Sequence, residues 1–329
     1  PGAGGWALGM AIAVGYPAGA RTAAAMREKG WITREEGERL LAVSFLCSPV
    51  FIVSVVAAGF FRNASIGWVL LALHLVSWLL AAFLFRLLLL KRTQVRAAEL
   101  PAPPQQGSLL ARSLRAMAEA RAEDGRSFGK LLGDAVTRSV QMMMMIGGSI
   151  MLFAVMLEIA DLSGAVPVLS EMLTRLCLAL GLPEQIVPSL IAGMLEIHLG
   201  TQAAGDAAVP PAWQAAAAGA VMAWGGWSAN AQVKGLTAQT DLSLKPYLLF
   251  RVLHGISAFG LTLALWNPLL YRFGGAFPSA GAAVPGTPAE ASPNLWLSWP
   301  EAAGWGGLTL LLLAAGAAVL RAFQSAKSV

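Results

Sequence analysis

Long apolar runs alternate with short charged segments along this chain. The runs 40–61, 66–85, 139–157, 210–233 and 302–320 contain no Asp, Glu, Lys or Arg, and 246–266 contains only Arg251. Each holds about 20 residues, enough at 1.5 Å per residue to cross a hydrocarbon layer of roughly 30 Å. Two other apolar stretches fail as spans. Residues 1–20 are interrupted by Gly15-Tyr16-Pro17-Ala18-Gly19, and 185–205 by Glu196, His198 and Gly200. Three backbone-breaking residues within five positions, or a carboxylate in mid-run, argue against a continuous spanning helix. Both stretches are therefore predicted to be re-entrant hairpins, over 1–29 and 185–206, that enter and leave on the same side.

The basic residues test this map. With 21–39 set on the inner side and six spans alternating, the inner side receives 21–39, 86–138, 234–245 and the C-terminal tail. Of 23 Lys and Arg, only Arg62, Arg175 and Arg272 fall outside, and Arg251 lies within a span. That is the asymmetry expected when basic loops stay on the cytoplasmic face. Counting either hairpin as a full span would put the basic linker and "KGLTAQTDLSLK" on opposite faces. The first hairpin thus opens inward and the second outward.

Composition narrows the class. Hydrophobic residues make up 57% and charged residues 12%, with a mean hydropathy of +0.64, against roughly 25% charged in a soluble domain. The fold class predicted is an all-α polytopic membrane protein. The net charge of +5 belongs to the inner loops and calls for membrane lipid, not nucleic acid, as a partner. Residue 1 is Pro and the apolar run after it has no basic leader, so earlier spans are expected to precede it. Cys47 and Cys177 are too few for a disulfide framework or a metal site. The absence of a nucleophile–base set or paired carboxylates outside the membrane argues against an enzyme.

The two halves share a plan. "GYPAG" at 15–19 precedes a span containing "FLCSPVF", and "EIHLG" at 196–200 precedes one containing "WGGWSANAQ". Each half is a hairpin, a span broken by small polar residues, and an uninterrupted span. Opposite openings make the halves an inverted repeat: 1–90 (hairpin 1–29, broken span 40–61, span 66–90) and 131–268 (span 139–157, hairpin 185–206, broken span 210–233, span 246–266). Residues 91–130 form a cytoplasmic linker, with a "ELPAPPQQGS" break and a helix-prone "LLARSLRAMAEARAEDGR". Residues 269–299 form an outer loop, and 300–322 a last transmembrane helix. "VLSEMLTRLCLALG" reads as a short amphipathic helix at the outer interface. Broken helices inside a bilayer are tolerated where they are buried in protein or line a wet cavity, which is the layout of secondary transporters.

"GYPAGARTAAAMREKGWITREEGERLLAVSFLCSPVFIV" resembles the first signature of the YlbJ-like sporulation integral membrane proteins, a family of stage V sporulation dipicolinate transporters in the nucleoside-recognition (Gate) superfamily. "GMLEIHLGTQAAG" with "AWGGWSANAQVKGLTAQTDLSLKPYLLFRVLHG" resembles the second, and the similarity covers roughly 5–265. The core is also similar to concentrative nucleoside transporters, whose Glu-bearing hairpin and broken helix are matched by Glu196 and Ser228-Ala229-Asn230. The resemblance implies transport of dipicolinic acid across the outer forespore membrane, with the cell membrane as the other location. His198 stands where a small hydroxyl residue is expected.

The candidate site gathers the residues at the breaks. Glu196 is a substrate, proton or cation site, or else a cap for backbone N–H groups at the hairpin tip. His198 could couple protons or hydrogen-bond structurally. Arg21 suits a planar carboxylate, or else snorkels at the inner edge; Arg251 and Lys234 come next for a second carboxylate. Tyr16, Gly19 and Gly200 sit at the tips. Ser48, Thr201, Gln202, Ser228, Asn230 and Gln232 could bind substrate or satisfy free backbone groups. His74 and His254 read as packing or interfacial residues, and "QMMMM" at 141–145 as lipid-facing or core packing. No cofactor is expected; a coupling ion, H+ or Na+, and homo-oligomerisation stay open. A nucleoside or nucleobase carrier and a non-transporting scaffold of spore assembly are the competing readings.

Overall fold

A computed structural model describes residues 4–89 and 109–273, and every regular element among them is helical. The 300–322 span, the outer loop beyond Phe273 and the linker up to residue 108 lie outside the described residues.

The first predicted hairpin is two short helices, α1 (Gly4–Val14) and α2 (Ala18–Glu28), separated at Gly15–Pro17. They fold back on each other and onto the chain that follows. A Cβ at Gly19 would lie 1.9 Å from the Ser44 carbonyl oxygen and 2.9 Å from Ala11 Cβ, so only glycine permits this approach. Next comes α3 (Arg34–Val43). Its start is a capping box: Thr33 Oγ1 accepts from the Glu36 amide at 3.2 Å, and Glu36 accepts from the Thr33 amide at 2.9 Å. The helix therefore begins six residues before the 40–61 run, inside the charged segment. Capping chemistry, not hydropathy, sets a helix start.

After Ser44 the chain is non-helical through Ser48, then helical again over 49–60, with Phe51–Phe60 in the wider π-helical form. The run 40–61 is thus broken at Phe45–Ser48. α4 (Gly67–Leu89) follows without interruption. Beyond the linker come α5 (Leu109–Asp124), α6 (Phe128–Leu162) and α7 (Ala165–Ala179). α6 has 35 residues, about 52 Å of helix, and outruns the predicted 139–157 at both ends. Its N-terminal turns carry Lys130, Asp134 and Arg138 at four-residue intervals, which solvate one helical face without ending the helix.

The second hairpin is α8 (Val187–Leu195) and α9 (Ile197–Asp206), parted at Glu196. Gly200 lies against Gly193, where a Cβ would stand 2.3 Å from the Gly193 Cα; two glycines facing each other bring the arms into backbone contact. α10 (Pro211–Trp224) ends at Gly225 in the left-handed region, and α11 (Gly226–Leu236) restarts at once. α12 (Lys245–Phe273) completes the described chain. Among the described residues, three segments are long and apolar enough to cross a membrane: Ala64–Leu88, Phe128–Leu162 and Lys245–Asn267. They contain the predicted runs 66–85, 139–157 and 246–266.

α10, α12 and α4 form the centre of the packing. Ala215, Ala216, Ala217 and Ala218 are fully buried; their small side chains let neighbouring backbones close in. α6 is the opposite case. It has no buried residue and leaves Met143, Met144, Met151 and Leu152 mostly exposed, a surface suited to lipid.

Two clusters hold the open ends of the two hairpins. At one, Arg27 holds Asp241 in a two-pronged ion pair at 2.8 and 2.9 Å, and Glu38 accepts from the Ser243 amide at 3.0 Å. The Arg27 guanidinium keeps the Asp241 carboxyl below the usual carboxylate range. At the other end, Gly205 packs on the Phe60 carbonyl.

Candidate functional site

The breaks converge. A cavity of about 220 Å³ is lined by Tyr16, Pro17 and Ala18 from the first tip, and by Ser48 and Phe51 from the first broken run. Glu196, Ile197 and His198 come from the second tip, and Ser228, Ala229 and Gln232 from the start of α11. α6 closes one side with Met142, Ile146, Ser149 and Ile150.

Glu196 is buried, at 2% exposure. Its Oε2 accepts from the amides of His198 (2.6 Å) and Leu199 (3.1 Å), and its Oε1 meets His198 Nδ1 at 2.8 Å. The carboxylate is thus the N-cap of α9 and a wall of the cavity at once. It satisfies amides that the tip would otherwise leave bare. His198 also lies edge-on to the Phe51 ring, with centroids 5.0 Å apart. Ser48 Oγ accepts from the Phe51 amide at 3.1 Å. Gln232 Nε2 donates to Ser149 Oγ at 3.4 Å, joining α11 to α6. Tyr16 stacks on Phe45, with centroids 4.6 Å apart.

Six of the twelve candidates therefore share one cavity: Tyr16, Ser48, Glu196, His198, Ser228 and Gln232. The other six are not in its lining. Gly19 and Gly200 are packing contacts. Thr201 Oγ1 donates back to the Ile197 carbonyl at 2.7 Å. Asn230 Oδ1 accepts from Tyr247 Oη at 2.6 Å. Arg21 and Gln202 are exposed, as is Lys234.

Arg251 needs a correction. It is fully buried and engaged away from the cavity. Nη1 donates to the carbonyls of Phe45 (2.8 Å) and Ala223 (3.1 Å), and Nη2 to that of Ala42 (3.0 Å). Phe45, Phe250 and Tyr247 surround the guanidinium at 4.8, 4.9 and 5.5 Å. The Ala42 and Ala223 carbonyls belong to the C-terminal ends of α3 and α10, the negative poles of two interrupted helices, and that of Phe45 to the break just beyond α3. A cation spent in this way is not free for a substrate carboxylate.

His74 and His254 are likewise buried, which excludes an interfacial position and leaves packing. His74 Nε2 accepts from the Cys47 amide at 3.3 Å, and the two rings lie 4.8 Å apart. The α6 contribution was not anticipated, although Met142, Ile146, Ser149 and Ile150 follow the i, i+4, i+7, i+8 spacing of one helical stripe. Among the described residues, no three His, Cys, Asp or Glu side chains could together hold a metal ion.

Three spanning-length apolar helices among the described residues, with interrupted helices around a common cavity, define an all-α integral membrane protein. The chain is 36% identical over 271 residues to the sporulation integral membrane protein YlbJ of Bacillus subtilis (strain 168), a match covering 82% of this chain. It is a homologue of that protein, which supports its membership of the YlbJ-like family. The match spans 65% of the relative's length. No family model matches the chain, and no solved structure matches it.

Proposed function

We propose that this chain is the membrane core of a transporter or facilitator for a small organic anion, dipicolinic acid, acting during sporulation. The observation that carries the reading is the cavity itself, where both hairpin tips and the restarts of both broken helices meet. Helices α2, 49–60, α9 and α11 all start at its wall, and the starts of α2 and α11 carry no side-chain cap, so two positive helix ends open to it. That polarity suits an anion, and the volume suits one small solute.

The inverted repeat belongs to the same proposal. The α2 C-terminus and the α8–α9 open end carry the two clusters described above, while both tips face the cavity. This supports hairpins that open to opposite faces, as alternating access around a fixed site requires. The relative's name supports the sporulation context. A cytoplasmic 21–39 and linker follow from the distribution of basic residues.

The test is uptake of labelled dipicolinate into proteoliposomes containing the full chain. Saturable uptake is expected, reduced at least tenfold in Glu196→Gln, which loses a charge-assisted cap and its His198 contact. Saturable uridine flux with no dipicolinate flux would overturn the substrate, and no flux of either would favour the scaffold.

A further inference from the structure

The side chains around the cavity include one carboxylate and no fixed cation: Arg21 is exposed, and Arg251 is spent on carbonyls. Any positive potential must come from backbone. Of the four helix starts, two are already neutralised. Glu196 accepts from the first amides of α9, and Ser48 accepts from Phe51. The starts of α2 and α11, which pack against each other, have no side-chain cap.

At α11 a second observation coincides with the bare helix end. Ser228, in the first turn, is only 2% exposed and lines the cavity. Its hydroxyl has no hydrogen-bond partner among the described residues. That oxygen is not sealed among the buried unpartnered polar atoms, so it opens to the cavity and is free to meet a solute. A free O–H beside uncapped N–H groups leaves the site with an excess of donors, and a carboxylate, which carries acceptors and no proton to donate, complements that excess. Glu196 lines the same cavity, but both of its oxygens are engaged by α9 amides and His198.

We propose that the first turn of α11, with the Ser228 hydroxyl, is a carboxylate subsite in which main-chain amides replace the usual arginine. It rests on the reading of the cavity as an anion site and says where the acid group docks. The start of α2, whose helix packs against α11, supplies a second uncapped positive pole at the same cavity. A small monocarboxylate of the pyridine-2-carboxylate type should suffice for this subsite.

The experiment measures binding to the purified full chain of dipicolinate, pyridine-2-carboxylate and the uncharged pyridine-2,6-dicarboxamide. Ser228→Ala should weaken both acids about tenfold, the effect of one lost hydrogen bond to a charged group. Ser228→Asp sets a carboxylate on the same helix end, where it favours the helix, so thermal stability should hold while acid binding falls at least 100-fold. The dicarboxamide should bind the wild type far more weakly than the acids. Unchanged acid affinity in both folded variants would overturn the subsite and leave dipicolinate transport standing. Dicarboxamide binding as tight as dipicolinate would overturn the carboxylate assignment. Failure of the wild type to bind either acid would overturn the anion reading and the subsite together.

Discussion

Arg251→Met removes the guanidinium that joins the two broken helices while keeping much of the side-chain volume. Three carbonyls, of Ala42, Phe45 and Ala223, lose their donor. A buried polar group left unpaired costs about 1–3 kcal/mol, so the gross loss is about 3–9 kcal/mol. Against it stands the desolvation of a buried cation, several kcal/mol that the variant no longer bears. The difference between these two terms is a net destabilisation of about 3 kcal/mol, set by the three orphaned carbonyls less the relieved desolvation. At 2–4 °C per kcal/mol for a chain of this order, the apparent Tm should fall by about 10 °C. The assay is the folded fraction remaining in detergent after heating, read as the monodisperse peak on size exclusion. Arg251→Lys keeps the charge but lacks the planar fork, and should fall between wild type and Met. A Met variant that melts within 2 °C of wild type would refute the claim that this cation holds the two interrupted helices together.

Three other outcomes follow from particular contacts. Gly19→Ala would drive a Cβ to 1.9 Å from the Ser44 carbonyl oxygen; the first hairpin must then shift, and both melting temperature and dipicolinate uptake should drop, whereas Gly9→Ala, which meets nothing within 4 Å, should be neutral. With Cys47 and Cys177 replaced by Ser, cysteines at the exposed positions Glu28 and Arg62 should react with a membrane-impermeant maleimide from opposite faces; labelling from one face would overturn the opposed ends. Arg27 lowers the carboxyl of Asp241, so the pair's contribution is present above the unfolded carboxylate range and is lost as pH falls through the lowered folded value. Asp241→Asn should therefore melt slightly below wild type at neutral pH and low salt. The two should converge in acid and at high salt, since the pair is exposed and screened.

The breaks were legible because their causes are local. Gly15 and Pro17, the carboxylate of Glu196 between apolar neighbours, and the glycine pair at 225–226 each interrupt a helix through their own backbone or capping chemistry, whatever surrounds them. The same is true of the three uninterrupted spans, which need only length and apolar composition. Even the start of α3 was written in the chain, as Thr33-x-x-Glu36, although hydropathy alone passed over it.

What those breaks enclose was decided elsewhere. Ser228 and Asn230 are two residues apart and equally polar, yet about 200° of helical rotation separates them. One faces the cavity, and the other bonds to Tyr247 in the core. Arg251 could be ranked behind Arg21 from sequence but its partners could not be read there, because the acceptors that consume it lie 28 to 209 positions away. Nor could the α6 wall be foreseen, since an apolar stripe reads the same facing lipid, core or solute. Composition and local backbone chemistry determined a helical membrane protein with interrupted segments. Only the packing, through helix rotation and contacts distant along the chain, selected which polar groups meet around the cavity and which are spent holding it open.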